Sequence, residues 1–236
     1  MCGRIAQYRY IDDYCDVLGL NGKWMSSVEN KPLDRYNVPP TTLVALLHQA
    51  EGGLHADLVR WGWRPYWAKD CAPPVNARVE KVAHGPFFRE IWPHRAICPI
   101  DGWFEWLADE TGKQPYYIRR RDGLPSLCAS IGHWPHADEP PREHDGFVII
   151  TADSAGGMVD IHDRRPVVLA PELAWEWLDP ATPKERAELM LMHQGEPSEA
   201  FEWFKVDRAA GNTKNQGAHL IDPIGEIHGG AFVNNG

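Results

Sequence analysis

Between residues 41 and 170 the chain repeats one kind of segment eight times: "TTLVALLH", "GLHADLVRWGW", "RAICPI", "GWFEW", "QPYYIRR", "PSLCASIG", "GFVIITAD" and "RRPVVLA". Each is short, rich in β-branched and aromatic residues, and bounded by turn-forming or charged positions, as strands are. The "EGG" at 51–53 reads as a turn joining the first two. Strands following one another this closely favour antiparallel pairing, because a parallel crossover needs a dozen or more residues. Helical periodicity lies around this block. "RYIDDYCDVLGL" puts Tyr10, Tyr14, Val17 and Leu18 on one helical face, and "NARVEKV" and "PFFREIW" read as short helices. "PELAWEWL" and "TPKERAELMLMH" follow; the second has Thr182 as N-cap, Pro183 at its first position, Glu185 completing a capping box and Gly195 as the stop. The expected fold class is α+β: a single domain over 1–222, with a mostly antiparallel strand core and peripheral helices. The proline-rich "PHADEPPREHDG" at 135–146 is expected to be a mobile loop, and 223–236 a frayed C-terminal tail.

The chain of 236 residues, 43% hydrophobic and 24% charged, is long enough to bury a core. No run of 18 apolar residues is present, so no membrane-spanning segment is expected, and no signal-peptide pattern opens the chain. Five cysteines (2, 15, 71, 98 and 128) form an odd set without a C-x-x-C. That argues against a disulfide framework or a metal cage and suits a reducing cytoplasm. Cys15, Cys71, Cys98 and Cys128 read as small hydrophobes. A net charge of −9 argues against an obvious nucleic-acid binder. Its distribution softens that: residues 1–120 hold 15 Lys/Arg against 14 Asp/Glu, and 121–236 hold 9 against 19. Trp61, Trp63, Trp67, Trp103 and Trp106 read equally as core or as stacking surface.

The chain opens "MCGR". Loss of Met1 would leave Cys2 with a thiol and a free α-amine on adjacent carbons. About a tenth of such an amine is neutral at pH 7 and able to attack an aldehyde. The neighbouring thiol then closes the imine to a five-membered thiazolidine, with its proximity already provided. A second use of the same residue is amide hydrolysis, with the α-amine as base for its own thiol. The alternative to both is an inert terminal cysteine.

Other segments supply partners for either chemistry. Glu105 in "GWFEW" lies between Trp103, Phe104 and Trp106, a setting that raises a carboxyl pKa and suits proton transfer, or else it points to solvent from a strand end. "DIHDRRP" at 160–166 places His162 and Arg164 on one face of an extended segment, fit to protonate an oxygen and hold a phosphate, or else forms a solvated charged turn. "VNARVEK" offers the amide of Asn76, with Arg78 two residues on, and "YNVPP" a rigid edge at Pro40. "GNTKNQG" at 211–217 reads as a polar turn whose amides, with Lys214 and Asn215, can meet a phosphate.

In order, "MCGR", "RYNVPP", "WGW", "NARVE", "RAICPIDGWFEW", "VDIHDRRPVVL" and "NTKNQGAHLI" closely resemble the SOS response-associated peptidase (SRAP) family, abasic-site processing proteins that crosslink to single-stranded DNA. The resemblance spans nearly all of residues 1–222. It implies a barrel-like strand core and removal of Met1, with a peptidase activity that rests on self-processing. It further implies a covalent thiazolidine between Cys2 and the ring-opened sugar of an abasic site, through lyase-like Schiff-base chemistry. By position, Asn76 resembles the family's asparagine beside the lesion, Glu105 its proton-handling carboxylate, and His162 the histidine assisting imine formation and turnover. Arg4, Arg78 and Arg164 resemble its phosphate-binding arginines, and Pro40 and Trp67 its base-stacking wedge; Lys214 and Asn215 join the expected DNA contacts. The implied partner is single-stranded DNA with abasic sites, including single-strand/duplex junctions, bound by a monomer that is cytoplasmic and nucleoid-associated on DNA. No cofactor or metal is implied. An N-terminal-nucleophile cysteine amidohydrolase is the alternative, and a plain single-strand binding module the third reading.

Overall fold

The eight strand-like runs do become strands, and backbone pairing sorts them into two facing sheets. The computed structural model describes residues 2–19, 24–26, 28–135 and 142–229. The strands in chain order are β1 (Ile5–Gln7), β2 (Met25–Ser26), β3 (Arg35–Val38), β4 (Leu43–Ala50), β5 (Gly53–Arg60), β6 (Asn76–Arg78), β7 (Arg95–Ile100), β8 (Gly102–Asp109), β9 (Gly112–Arg120), β10 (Ser126–His133), β11 (Gly146–Asp153), β12 (Arg164–Pro166), β13 (Val168–Leu169), β14 (Phe201–Lys205) and β15 (Ile227–His228). One sheet has six strands in the order β15-β14-β9-β8-β1-β3. The other, of nine strands, runs β12-β11-β10-β7-β4-β5-β2, with β13 beside β10 and β6 beside β11. Among the described strands only β6–β11 and β2–β5 pair in parallel.

Among the described strands both sheets keep free edges, so the expected barrel-like core is a pair of open sheets packed face to face. Between them lies a cluster that includes Ile5, Val38, Trp103, Ile118 and Phe201 from one side, and Val44, Leu46, Cys98, Cys128, Phe147 and Ile149 from the other. The outer face of the nine-stranded sheet is covered by helices α1 (Ile11–Asp16), α2 (Val79–Val82), α3 (Pro171–Leu178) and α4 (Lys184–His193). Phe104, Tyr117 and Phe204 on the outer face of the smaller sheet pack against Val206 and Ala210. At the β4–β5 hairpin Gly52 and Gly53 take φ of +92° and +133°, a backbone only glycine adopts without strain.

Several expectations change. "PFFREIW" forms turns rather than a helix, because Trp92 and Ile91 are held in the core by tertiary packing and no amphipathic helical run is long enough to compete. "NARVEKV" divides into β6 and the four-residue α2, because the backbone of Asn76–Arg78 pairs with β11. The last helix begins one residue later than expected, with Pro183 as its cap, and Thr182 Oγ1 donates to Glu176 O at 2.5 Å instead of closing a capping box. Cys71 is exposed, whereas Cys15, Cys98 and Cys128 are buried as read. Of the 223–236 tail, Ile227 and His228 pair with Phe204 and Trp203. Residues 136–141 of the proline-rich loop and 230–236 of the tail lie outside the described residues. Among the described residues no helix is long and apolar enough to cross a membrane.

Candidate active site

Strand β1, only three residues long, positions the chain's first residues. It pairs with β8 through Ile5↔Trp103 and Ala6↔Gly102, and Phe104 N donates to Arg4 O at 2.9 Å. The β8 alternation then settles the direction that "GWFEW" left open. Trp103 and Glu105 point between the sheets, while Phe104 and Trp106 face the outer cluster. Glu105 is only 3% exposed. Burial raises its carboxyl from the ordinary 4.5 to about 7.

Cys2 lies fully buried in the same inter-sheet cluster. Burial first, then the nearby Glu105, holds its thiol well above the usual range, so it is un-ionised at neutral pH. Asn76 approaches from the other sheet: its Nδ2 donates to Cys2 O at 2.7 Å. His162 sits on the turn before β12, with Nδ1 3.0 Å from Arg164 N and 2.8 Å from Asp163 Oδ1. Partial burial lowers its pKa, leaving the imidazole neutral at pH 7. After burial, the charge of Asp163 adds to the upward push on Glu105. Cys2, Asn76 and Glu105 therefore come together between the two sheets, and His162 stands on the segment leading into β12 of the larger one.

The cations behave differently from one another. Arg78 is exposed on β6, two residues from Asn76. Arg164 is 5% exposed and held through both Nη atoms: each bonds Glu80, at 2.7 and 3.0 Å, Nη1 also bonds Asp153, and Nη2 donates to Thr151 O at 2.6 Å. Arg4 donates to Asn37 Oδ1 at 2.7 Å and Ala210 O at 3.1 Å and lies over the Trp106 ring. Among the Trp candidates, Trp61, Trp63 and Trp103 are core, whereas Trp67 is 56% exposed with its ring edge-on to Phe87. Pro40 is half-buried in the turn after β3. The 211–217 turn uses its amides internally. Asn215 Nδ2 donates to Ala209 O, Asn212 Oδ1 accepts from Lys214 N, and Gln216 pairs with the backbone of Tyr36 and Asn37. Lys214 itself is exposed.

A family model described as SOS response associated peptidase (SRAP) matches residues 1–213. The chain belongs to the SRAP family. The abasic site processing protein YedK of Escherichia coli is 44% identical over 225 residues, covering 95% of this chain and 100% of that one. The abasic site processing protein YoaM of Bacillus subtilis is 32% identical over 235 residues, covering 94% and 98%. Among solved structures, a phage-related protein from Bordetella bronchiseptica matches with a TM-score of 0.74 at 39% identity, covering 88% of this chain and 95% of that one.

In this SRAP chain the residues that sequence reasoning missed are the ones that brace the site. Glu80 and Asp153 hold Arg164; Asn37, itself bonded to Ala210, Asn212 and Asn215 carbonyls, holds Arg4. Asn37 and Glu80 both sit inside quoted motifs, but only the contacts distinguish a brace from a ligand group. Among the described residues no cluster of three metal-ligating side chains occurs.

Proposed function

We propose that this SRAP chain, once Met1 is removed, captures abasic sites in single-stranded DNA through the α-amine and thiol of Cys2, forming a thiazolidine that shields the lesion. The observation carrying this reading is the meeting of Cys2, Asn76 and Glu105 at the sheet–sheet junction, with Asn76 Nδ2 2.7 Å from the Cys2 carbonyl. The names of the curated relatives, which process abasic sites, supply the substrate class.

The chemistry needs an acid and a base in turn. With a pKa of about 7, Glu105 is half protonated at neutral pH. As an acid it protonates the ring oxygen of the closed abasic sugar as the bond from that oxygen to the anomeric carbon breaks and the anomeric hydroxyl gives its proton to water, leaving the aldehyde; as a carboxylate it takes a proton from the Cys2 ammonium. The amine adds to the aldehyde and water leaves, giving the imine. Neutral His162 then accepts the proton of the Cys2 thiol as sulfur adds to the imine carbon, and the nitrogen, taking the C=N electron pair, receives that proton back as the ring N–H. That step needs a base, because burial keeps the thiol un-ionised. The balance is protein plus DNA minus one water. Arg78 supplies a phosphate contact and Trp67 a stacking surface, which fit a single strand or its junction with duplex. Removal of Met1 by the same groups is the self-processing part of the proposal.

Intact-mass measurement of the Met1-free protein after incubation with an abasic single strand tests the reading. The expected product has the mass of protein plus DNA less one water, and its survival on heating separates the thiazolidine from the isomeric imine. Turnover of small amides without a DNA adduct would favour hydrolysis instead.

A further inference from the structure

Strands β4 and β7 are neighbours in the nine-stranded sheet, yet their pairing ends at Leu47↔Ile97 and His48↔Ala96. Beyond that point β7 carries Pro99, which has no N–H to offer, and the two strands part. Gln7 fills the gap from the opposite sheet. Its Oε1 accepts from Ala45 N at 3.0 Å, and its Nε2 donates to Ala45 O at 3.0 Å and Pro99 O at 2.6 Å. One fully buried carboxamide thereby satisfies three backbone groups of the other sheet.

The backbone of Gln7 belongs to β1 and pairs with Arg35 of β3. Its main chain is thus in the six-stranded sheet and its side chain in the nine-stranded one. The candidate active site straddles the same division. Cys2 and Glu105 come from the β1–β8 side, and Asn76, His162 and Arg164 from the β6–β12 side. Apolar contacts between sheets tolerate sliding, whereas hydrogen bonds to fixed backbone atoms weaken steeply over a few tenths of an ångström. A Gln here defines depth and register in a way that Leu or Met cannot.

We infer that Gln7 is a positioning residue for the proposed crosslinking reaction: its carboxamide sets how β1 lies against the nine-stranded sheet, and so places the amine and thiol of Cys2 against Asn76 and His162. This rests on the reading of Cys2 as the capturing residue. The ionisable groups on the elements packed around Gln7 have other surroundings: Asp101 accepts from Tyr8 N, Arg9 and Tyr14, Arg35 donates to Leu43 O and Thr42, His48 pairs with Asp57, and Cys98 is buried in the inter-sheet cluster.

Gln7→Met and Gln7→Glu in the Met1-free full chain test it. Met removes all three bonds. Protonated Glu keeps an acceptor for Ala45 N and an O–H for Pro99 O; ionised Glu faces carbonyl oxygens with acceptors only. The single-turnover adduct rate of Gln7→Met should fall about 10- to 100-fold at every pH, the scale of a small misplacement of reacting groups. The rate of Gln7→Glu, taken as a ratio to wild type, should recover as pH is lowered. Affinity for a single strand carrying a non-reactive tetrahydrofuran abasic analogue should stay within about twofold in both. Alkylation of Cys2 by iodoacetamide, followed by peptide mass so that Cys2 is read apart from the exposed Cys71, should also change in rate. That readout needs no DNA, so it separates failure of this inference from failure of the proposed function. Gln7→Asn, one methylene short, replaces Gln7→Met if melting curves show the latter unfolded. Wild-type adduct and alkylation rates in folded variants would overturn the inference. So would a loss that tracks DNA affinity and melting temperature with no recovery of Gln7→Glu at low pH, since that marks a merely structural role.

Discussion

Asn76 Nδ2 donates to the carbonyl oxygen of Cys2 at 2.7 Å across 74 residues of sequence, and its Oδ1 is buried with no partner among the described residues. A parallel strand of one sheet thereby fixes the N-terminal extension of the other. An unpartnered buried carbonyl beside the residue that would bear the free amine is placed to accept from that amine. Asn76→Ala should slow adduct formation by about 10- to 100-fold, the penalty for a misplaced reacting group. The lost hydrogen bond should cost stability by only about 1 kcal/mol. Single-turnover kinetics and chemical denaturation of the same preparation check both numbers.

The aminothiol requires both its halves. Cys2→Ala, or wild-type protein with Met1 retained, should give no heat-stable adduct, whereas Cys2→Ser should give an imine that decays on dilution. Denaturing gels after heating, with intact mass to report Met1, decide this. A heat-stable adduct on protein that still carries Met1 would exclude the thiazolidine.

Glu105 links reactivity to stability. Its pKa rises from 4.5 to about 7 on folding through burial, so the folded state binds the extra proton between those values. Stability is therefore highest below about pH 4.5 on this account and is lost as pH rises through 7. Glu105→Gln should remove that loss and melt higher than wild type at pH 8, by an amount on the order of 2–3 kcal/mol. The same substitution should slow adduct formation by about 10²- to 10⁴-fold, because amide cannot transfer the proton. Melting curves at pH 5 and 8 beside single-turnover rates test the two halves together.

Arginines at the site should not contribute equally to DNA affinity. Arg78 is exposed, while Arg164 is held by Glu80 and Asp153 and Arg4 by Asn37. Arg78→Ala should reduce the magnitude of the salt slope of single-strand binding by about 0.7. Trp67→Ala should weaken binding by about 1–3 kcal/mol, the scale of base stacking, and leave the slope unchanged. Arg164→Ala should instead lower the melting temperature, since it strips two carboxylates of their partner. Affinities across a salt series for abasic single-stranded, junction and duplex DNA read these out. Equal affinity for duplex would remove the stacking picture.

Much of the strand core was legible because its signal is local. The alternation in "GLHADLVR" and the unbroken apolar run in "GFVIITAD" are both contained in eight residues, and both are strands over those residues. β1 and β3, with three and four residues, are too short to show a period, although one carries Cys2 into place and the other braces Arg4 through Asn37. The outward or inward direction of Glu105 followed only from the pairing of β8 with β1. Trp63 and Trp67 lie four residues apart in one cluster, yet one is core and the other exposed, because only Trp63 meets the helix-side cluster of the larger sheet.

What the sequence determined by itself is covalent and short-range: a cysteine at the second residue, strands by alternation and apolar runs, turns by glycine, and the residue types that acid–base chemistry needs. Those properties depend on bonds and on neighbours within a few positions. What tertiary structure alone decided is which of those groups meet, and in what surroundings. The contact of Asn76 with Cys2, the burial that lifts Glu105 to about 7, and the engagement of Arg164 by Glu80 all join segments tens of residues apart. Their partners are chosen by how two sheets bury a shared core, and a pKa or a free guanidinium is a property of that enclosure rather than of the motif that contains it.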